Sequence, residues 1–390
     1  MRDHPGMRRT RHELLTIDRL NRATLARQLL LEPASLEPVA ALERTGGTQA
    51  QEPASPYLAL WARLAAFDPG TLHAAFLERG AVKATLMRVT LHAVSRRDYG
   101  HLVTALEPLR GADRQTRRGV ARPDRIPELA GAAAAYAVEP RRNADLRAYV
   151  EELAGEGPLD EPVWWWVRRH LPLVHVPEEV PWSFSRRPVL TTPATWLGDN
   201  RFADGGAGGG ARALEHLVRR YLGAFGPAST ADVAAWSGMS AVTFAAAIAA
   251  LNEAGELRRF SDEAGRVLLD LVDAPLPDAD VPAPPRLLPM WDSVLLAHRD
   301  RTRVIADAHR PTVIGRNGDV LPSFLVDGRV AGLWWAESEG GPTRLVLEPF
   351  GRLRPEDRRA LTELGDRLAA FVSPLEPRVY ARYRGSRARR

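Results

Sequence analysis

Between residues 211 and 271 the placement of glycines and apolar side chains leaves the chain few ways to fold. A helix over 211–225 meets Gly226-Pro227, and a short helix carrying Val233, Ala234 and Trp236 follows. Ser237-Gly238-Met239-Ser240 reads as a turn, after which an Ala-rich helix runs to about Gly255. Residues 257–260 and 267–271 flank Asp262-Glu263-Ala264-Gly265 as the two strands of a hairpin. Helix, helix, turn, helix, hairpin is the order of a winged helix.

The first third of the chain follows a related order. A helix starts near Thr16 with Leu20, Ala23, Leu29 and Leu30 as its apolar face, and another over 37–44 stops at Gly46-Gly47. Ser55-Pro56 reads as an N-cap with Pro at the first helical position, leading into Tyr57, Leu60, Trp61 and Leu64. Asp68-Pro69 opens a further helix, terminated by Gly80. Residues 82–94 read as extended, with Arg88, Thr90 and His92 on one face at period two, and 96–109 as a helix. Helices followed by a strand pair again fit a winged helix-turn-helix. Residues 128–172 read as helical. They include Trp164-Trp165-Trp166, which cannot all share one helix face, so at least one reaches an interface or the surface. Beyond a Pro/Asp-rich linker at 275–285 the chain alternates as a mainly β module, closed by a helix over about 354–370. The expected fold is α+β. Tandem winged helices at 13–115, at 116–210 with a linker, and at 211–275 surround a cleft, and a barrel-like β module follows at 286–390.

Composition excludes several chemistries. The chain has no cysteine, so disulfides, thiolate metal sites and Cys nucleophiles are ruled out. Its ten histidines show no HExxH spacing, and no metal or cofactor is expected. The Gly-rich loop over 203–210 lacks the Gly-Lys-Ser/Thr of a phosphate-binding loop. No apolar run is long enough to span a bilayer, and the first residues carry charge without an apolar core, so a cytoplasmic protein is expected. Basic character resides almost entirely in arginine, Lys83 being the one lysine, and the net charge of +5 leans towards a polyanionic partner. Arg114, Arg117, Arg118, Arg122 and Arg125 crowd one loop suited to phosphates, as does the Arg-rich C-terminus.

One polar motif stands apart. Gln49-Ala50-Gln51 lies between the Gly46-Gly47 stop and a Pro-capped helix, and on an extended backbone its two amides project from the same side. Such a pair holds one water, one sugar oxygen or one base edge from two directions.

Together these segments resemble the AlkZ/YcaQ-type bacterial DNA glycosylases over nearly the whole length. The resemblance is carried by Leu20-Asn21-Arg22 through Arg27-Gln28, by Gly47 through Trp61 and Arg63, and by Arg88, Thr90 and His92 within Leu86–His92. It continues in Phe225-Gly226-Pro227, Asp232, Trp236-Ser237-Gly238 and Leu287-Leu288-Pro289 with Asp292. His298-Arg299-Asp300-Arg301 and Leu325 through Gly332 complete it. The resemblance implies tandem winged helices with a β-barrel, and it places the catalytic amide pair on Gln49 and Gln51. This all-glutamine form resembles the self-resistance glycosylases of producers of DNA-alkylating antibiotics such as azinomycin B, rather than the Gln-x-Asp repair branch. The middle residue, Ala50, is smaller than the apolar residues that also occur there.

Chemistry narrows the expected substrate. Glutamine is not a general base, but an N7- or N3-alkylated purine is already cationic and leaves as a neutral base. Oriented amides then need only position water and stabilise an oxocarbenium-like sugar. The expected partner is double-stranded DNA carrying alkylated bases, bound by a monomer at an open site that accepts bulky adducts or interstrand crosslinks. Lyase activity is not expected, since Lys83, the one side-chain amine, reads as ordinary surface. Arg88, Thr90 and His92 are candidates for lining the DNA cleft, while Asp292 and Asp300 are expected to pin arginines within the β module. The competing reading is a non-catalytic winged-helix transcriptional regulator. Against it, the helix over 241–254 offers no Arg, Asn or Gln to read base edges before Asn252. A metal nuclease lacks a carboxylate cluster.

Overall fold

Local capping rules set the first helices. In the computed structural model, which describes residues 12–112, 125–155, 163–198, 209–338 and 340–383, strand β1 (Glu13–Leu15) leads into helix α1 (Ile17–Arg27), capped by the Thr16 side chain. Helix α2 (Pro38–Thr45) ends at Gly46 in the left-handed region. Gly47 is also left-handed, and a Cβ there would sit 2.7 Å from Val94 Cγ1, so only glycine lets the chain turn back this closely. Strand β2 (Thr48–Gln49), helices α3 (Ser55–Trp61) and α4 (Pro69–Leu77), strands β3 (Ala81–Thr85) and β4 (Leu91–Ser95), and helices α5 (Arg96–Ala105) and α6 (Glu107–Ala112) follow.

Two local expectations change here. Helix α4 ends at Leu77 and the left-handed residue beyond it is Arg79, not Gly80. Residues 82–94 are not one extended run: they fold as a hairpin whose turn, Met87–Val89, holds Arg88 and Val89 at φ 53° and 56°. Arg88 therefore leaves the strand face that Thr90 and His92 were expected to share with it.

Helix α7 (Ile126–Tyr136), strand β5 (Arg141–Arg142), helices α8 (Asn143–Ala154) and α9 (Val163–His170), strands β6 (Val174–Val176) and β7 (Val189–Thr191), and helix α10 (Pro193–Leu197) come next. Strands β2 to β7 form one six-stranded sheet in the order β2-β4-β3-β6-β7-β5. Within α9, Trp164 is buried and donates from Nε1 to Asn143 Oδ1 at 3.2 Å, whereas Trp165 stands 53% exposed, as three adjacent indoles on one helix require.

Helices α11 (Gly209–Phe225), α12 (Thr230–Ser237) and α13 (Ala245–Glu253) and the hairpin β8 (Leu257–Asp262) and β9 (Val267–Leu271) keep the order read from the sequence. A reciprocal cap between Ser229 and Asp232 starts α12, and left-handed Gly238 ends it. Tyr221, Phe225, Trp236 and Phe244 fill the core beneath. Unforeseen was β1, which pairs in parallel with β8 and extends the hairpin to a three-stranded sheet.

The C-terminal strands β10 (Arg286–Leu288), β11 (Ser323–Val326), β12 (Arg329–Glu337) and β13 (Arg344–Pro349) are joined by helix α14 (Arg310–Val313) between β10 and β11 and followed by helix α15 (Pro355–Val372). They form an open antiparallel sheet in the order β10-β11-β12-β13, not a closed barrel. Leu361, Leu368 and Val372 of α15 join the core with Leu288, Phe324 and Trp334, so a helix supplies the second layer and the sheet need not close on itself.

Buried ion pairs lock these parts together. Arg63, just past α3, meets Asp292 through two hydrogen bonds of 2.8 Å, and both side chains are at most 1% exposed. Arg27 of α1 grips Asp270 of β9 at 2.6 and 3.0 Å with both side chains fully buried. Asp292 thus pins an arginine from outside its own module, and Asp300 likewise pairs with Arg266 of the β8–β9 hairpin at 3.0 Å. Removing one partner of a buried pair leaves the other charge stranded. Arg63→Ala should therefore cost about 3–5 kcal/mol, read as a lower midpoint in urea unfolding. A loss within about 0.5 kcal/mol, typical of surface substitutions, would show the pair to be dispensable.

Candidate active site

Strand β2 is only two residues long because its partner edge is soon taken over by a side chain. Thr48 pairs with Ala93 and Gln49 with His92, and Ala50 N–H donates to Leu91 C=O at 2.7 Å. The chain then bends, and Gln51 Oε1 accepts from Leu91 N–H at 2.9 Å, in the place the next ladder carbonyl would occupy. Gln51 is exposed, whereas Gln49 is 5% exposed, because the strand ends between them. Behind Gln49, residues Ser55, Met290, Trp291, Asp292 and Ser293 pack with no water-sized gap.

Arg88 reaches this corner from the β3–β4 turn. Its Nη2 donates to Gln49 Oε1 at 3.3 Å, and its Nη1 donates to Trp236 C=O near the end of α12, where helical carbonyls lack an internal partner. A Cβ on Gly238 would lie 2.9 Å from Arg88 Cα, so the α12 turn and the Arg88 turn can meet only at glycine. Both amide orientations are fixed, because guanidinium and backbone N–H groups only donate. Each Oε1 keeps a second lone pair.

The remaining polar groups are held in the same corner. Thr90 Oγ1 donates to Met87 C=O at 3.0 Å, and His92 Nδ1 donates to Thr90 C=O at 2.9 Å. Burial first, and the Arg88 charge second, push His92 down to about 3 against the opposing Thr90 bond, so the imidazole stays neutral. Burial, with Arg301 adding to it, brings Arg88 down to about 10, still cationic at neutral pH. Arg114, Arg117 and Arg118 lie outside the described residues.

Neither neighbouring carboxylate is left without a cation. Glu52 directly follows the pair, and its Oε1 accepts from Arg382 and, at 3.1 Å, from Tyr383, while Oε2 accepts from Arg186 at 3.3 Å. Burial raises its pKa while Arg382 opposes. Asp292 is occupied by Arg63. Lys83 is not on the surface as expected: it sits 3% exposed in β3, with Nζ 4.5 Å from the Phe184 ring centroid. Burial pushes it down to about 7, with Glu52 opposing and Arg168 adding. No group of three or more His, Cys, Asp or Glu able to hold a metal occurs among the described residues. Nor is any single described helix long and apolar enough to cross a membrane. Sequence reading anticipated that Asp292 pins an arginine but not that the arginine is Arg63 from outside the β module, and it missed the commitment of Glu52 and the burial of Lys83.

A model of the AlkZ-like DNA glycosylases matches residues 42–371. The chain belongs to this family. It is a DNA glycosylase, an enzyme of DNA repair whose substrate is DNA. Among solved structures, the Streptomyces sahachiroi DNA glycosylase AlkZ superposes with a TM-score of 0.74 at 21% identity, covering 94% of this chain and 98% of that one. At that identity the likeness shows the fold alone. A search of curated proteins gives no match. The regulator reading is not favoured.

Buried histidines, His92 and His298 among them, make this glycosylase sensitive to acid. His92 and His298 are both held near 3 in the folded chain, His298 by burial and Arg303 against the pull of Asp232, whereas unfolded histidine titrates near 6.5. The unfolded state therefore binds the extra protons, and stability falls as pH drops from about 6.5 towards about 3. Melting temperature measured across that window should decline steadily on acidification. A flat profile would mean that these rings are protonated in the folded state.

Proposed function

We propose that this glycosylase hydrolyses the N-glycosidic bond of cationic N7- or N3-alkylated purines in double-stranded DNA, including bulky adducts and interstrand crosslinks, and leaves an abasic site. Gln49 and Gln51 orient the attacking water and shelter the developing sugar cation. The observation that carries this reading is the commitment of the two carboxylates around the pair. Glu52 is held by Arg382, Arg186 and Tyr383, and Asp292 by Arg63, so oriented amides remain at the corner.

Amides suffice for a substrate that brings its own charge. An alkylated purine departs neutral, so no acid need protonate it, and the amide oxygens' second lone pairs can accept a water hydrogen and face the cation at C1′. Arg88 and Thr90 line the cleft with His92 buried behind them, and Arg114, Arg117 and Arg118 hold phosphates. The helix–turn–helix–hairpin order over 209–271 supports the winged-helix reading of that module, and tandem winged helices form the walls of the cleft. The enzyme acts as a monomer, without metal or cofactor, and is monofunctional. Lys83, the one side-chain amine able to form a Schiff base, is enclosed against Phe184.

The test is incubation with duplex DNA containing N7-alkylguanine, with strand scission read before and after alkali. Wild type should release the base and leave the strand intact until alkali is added. Gln49→Ala/Gln51→Ala, with an unchanged melting temperature, should lose about 10²–10³-fold in single-turnover rate. Equal release by both proteins removes the amide pair from catalysis, and scission without alkali makes the enzyme a lyase.

A further inference from the structure

The wall packed against Gln49 is buried except at its rim. Of the residues that form it, only Trp291 and Ser293 reach solvent. The backbone of Trp291 is left-handed at φ 54°, a conformation that bulky side chains rarely adopt and that persists where the surroundings enforce it. Trp182 and Tyr380 share that conformation, but both are buried. The Trp291 backbone N–H donates to Val320 C=O at 3.1 Å, and its indole Nε1 donates to Gly318 C=O at 3.0 Å. Backbone and ring are thus tied to one turn, and the half-buried indole is held in one orientation.

A second ring continues this surface towards Gln51. Tyr383 meets Trp291 edge to face, with centroids 6.4 Å apart and planes at 89°. Its hydroxyl donates at 3.1 Å to Oε1 of Glu52, the residue that follows Gln51. The two rings therefore connect the wall at Gln49 to the far end of the amide pair. A cation already rests on one of them, the Arg382 guanidinium lying 4.7 Å from the Tyr383 ring centroid. Arg88, by contrast, reaches Gln49 together with the end of α12, and its charge repels a positive base from that approach.

We infer that the Trp291 indole, braced by Tyr383, is the platform on which the positively charged base of the lesion stacks, and that Trp291 selects cationic purines over neutral ones. The inference deepens the reading of Gln49 and Gln51 as the reaction centre and rests on it. Any purine laid on the indole gains ordinary stacking, and a cationic purine gains the attraction of the ring's negative face besides. A base held by its plane keeps its edges free, which leaves room for bulky N7 or N3 substituents. The attraction fades as charge moves from base to sugar, so it serves selection in binding and not the chemical step.

Two uncleavable duplexes test the platform. Each carries a 2′-fluoroarabino sugar, one with cationic N7-methylguanine and the other with its neutral 7-deaza isostere. Wild type should bind the cationic duplex about tenfold more tightly. Trp291→Phe should keep a reduced preference. Trp291→Leu should lose it, yet excise N7-methylguanine from an ordinary duplex at the wild-type rate once enzyme saturates. Should Trp291→Leu not fold, fluorinated tryptophan takes its place, since it drains the indole face and keeps the shape. The preference should then fall stepwise with fluorination in wild type and stay constant in Trp291→Phe. A folded Trp291→Leu protein that keeps the preference, or a wild type that excises N7-methylguanine yet binds both duplexes alike, overturns the platform while the amide pair stands. If Gln49→Ala/Gln51→Ala excises the base as fast as wild type, the reading of the amide pair falls and the platform with it.

Discussion

Arg63 and Asp292 meet in a dry interior, and the rest of the site is built against them. Arg63 Nη2 also donates to Gln28 Oε1 at 3.2 Å, and Gln28 Nε2 in turn donates to Thr45 C=O and Ala224 C=O, each at 3.0 Å. Two charges and one amide thus join the ends of α1, α2, α3 and α11 to the loop after β10. Such a pair is retained in a core only where its geometry is good, because desolvation costs several kcal/mol per ion. Asp292 Oδ1 also accepts Val294 N–H at 3.0 Å, which shapes the loop that packs behind Gln49. Gln49 is therefore backed by a closely packed wall.

The parts of this arrangement set by neighbouring residues were legible in the sequence. Thr16 caps α1, Asp68 caps α4, Gly46 and Gly238 end their helices, and the order of elements over 209–271 needed only apolar spacing and glycine. Contacts between distant residues were not legible. Arg63 and Asp292 stand 229 positions apart, and β1 finds β8 from the other end of the chain. Arg88 was misplaced because φ near 53° on an arginine follows from the turn it must make against Gly238, not from its own preference. Lys83 was read as surface because a lone charge usually is. In the fold it is covered by β4 and β6 on either side and by the Phe184 ring. The expected barrel failed for a related reason: whether a sheet closes depends on what covers it, and here α15 does.

Family membership fixes the class of reaction, and the local chemistry limits its scope. The corner around Gln49 combines neutral amides, a neutral imidazole and a cationic Arg88, with the neighbouring carboxylates held by cations. Such a corner is poorly equipped to pull a proton or to protonate a departing base. It is suited to a glycosidic bond already weakened by positive charge on the base.

If the substrate's charge replaces a catalytic carboxylate, changing that charge alone changes the rate. Single-turnover excision of cationic N7-methylguanine should be compared with that of neutral hypoxanthine in the same duplex position. Rates should differ by at least about 10²-fold in favour of the cation, the span that a general acid or base would otherwise supply. Comparable rates for the two bases would contradict the account and require a proton-transferring group at the Gln49 corner.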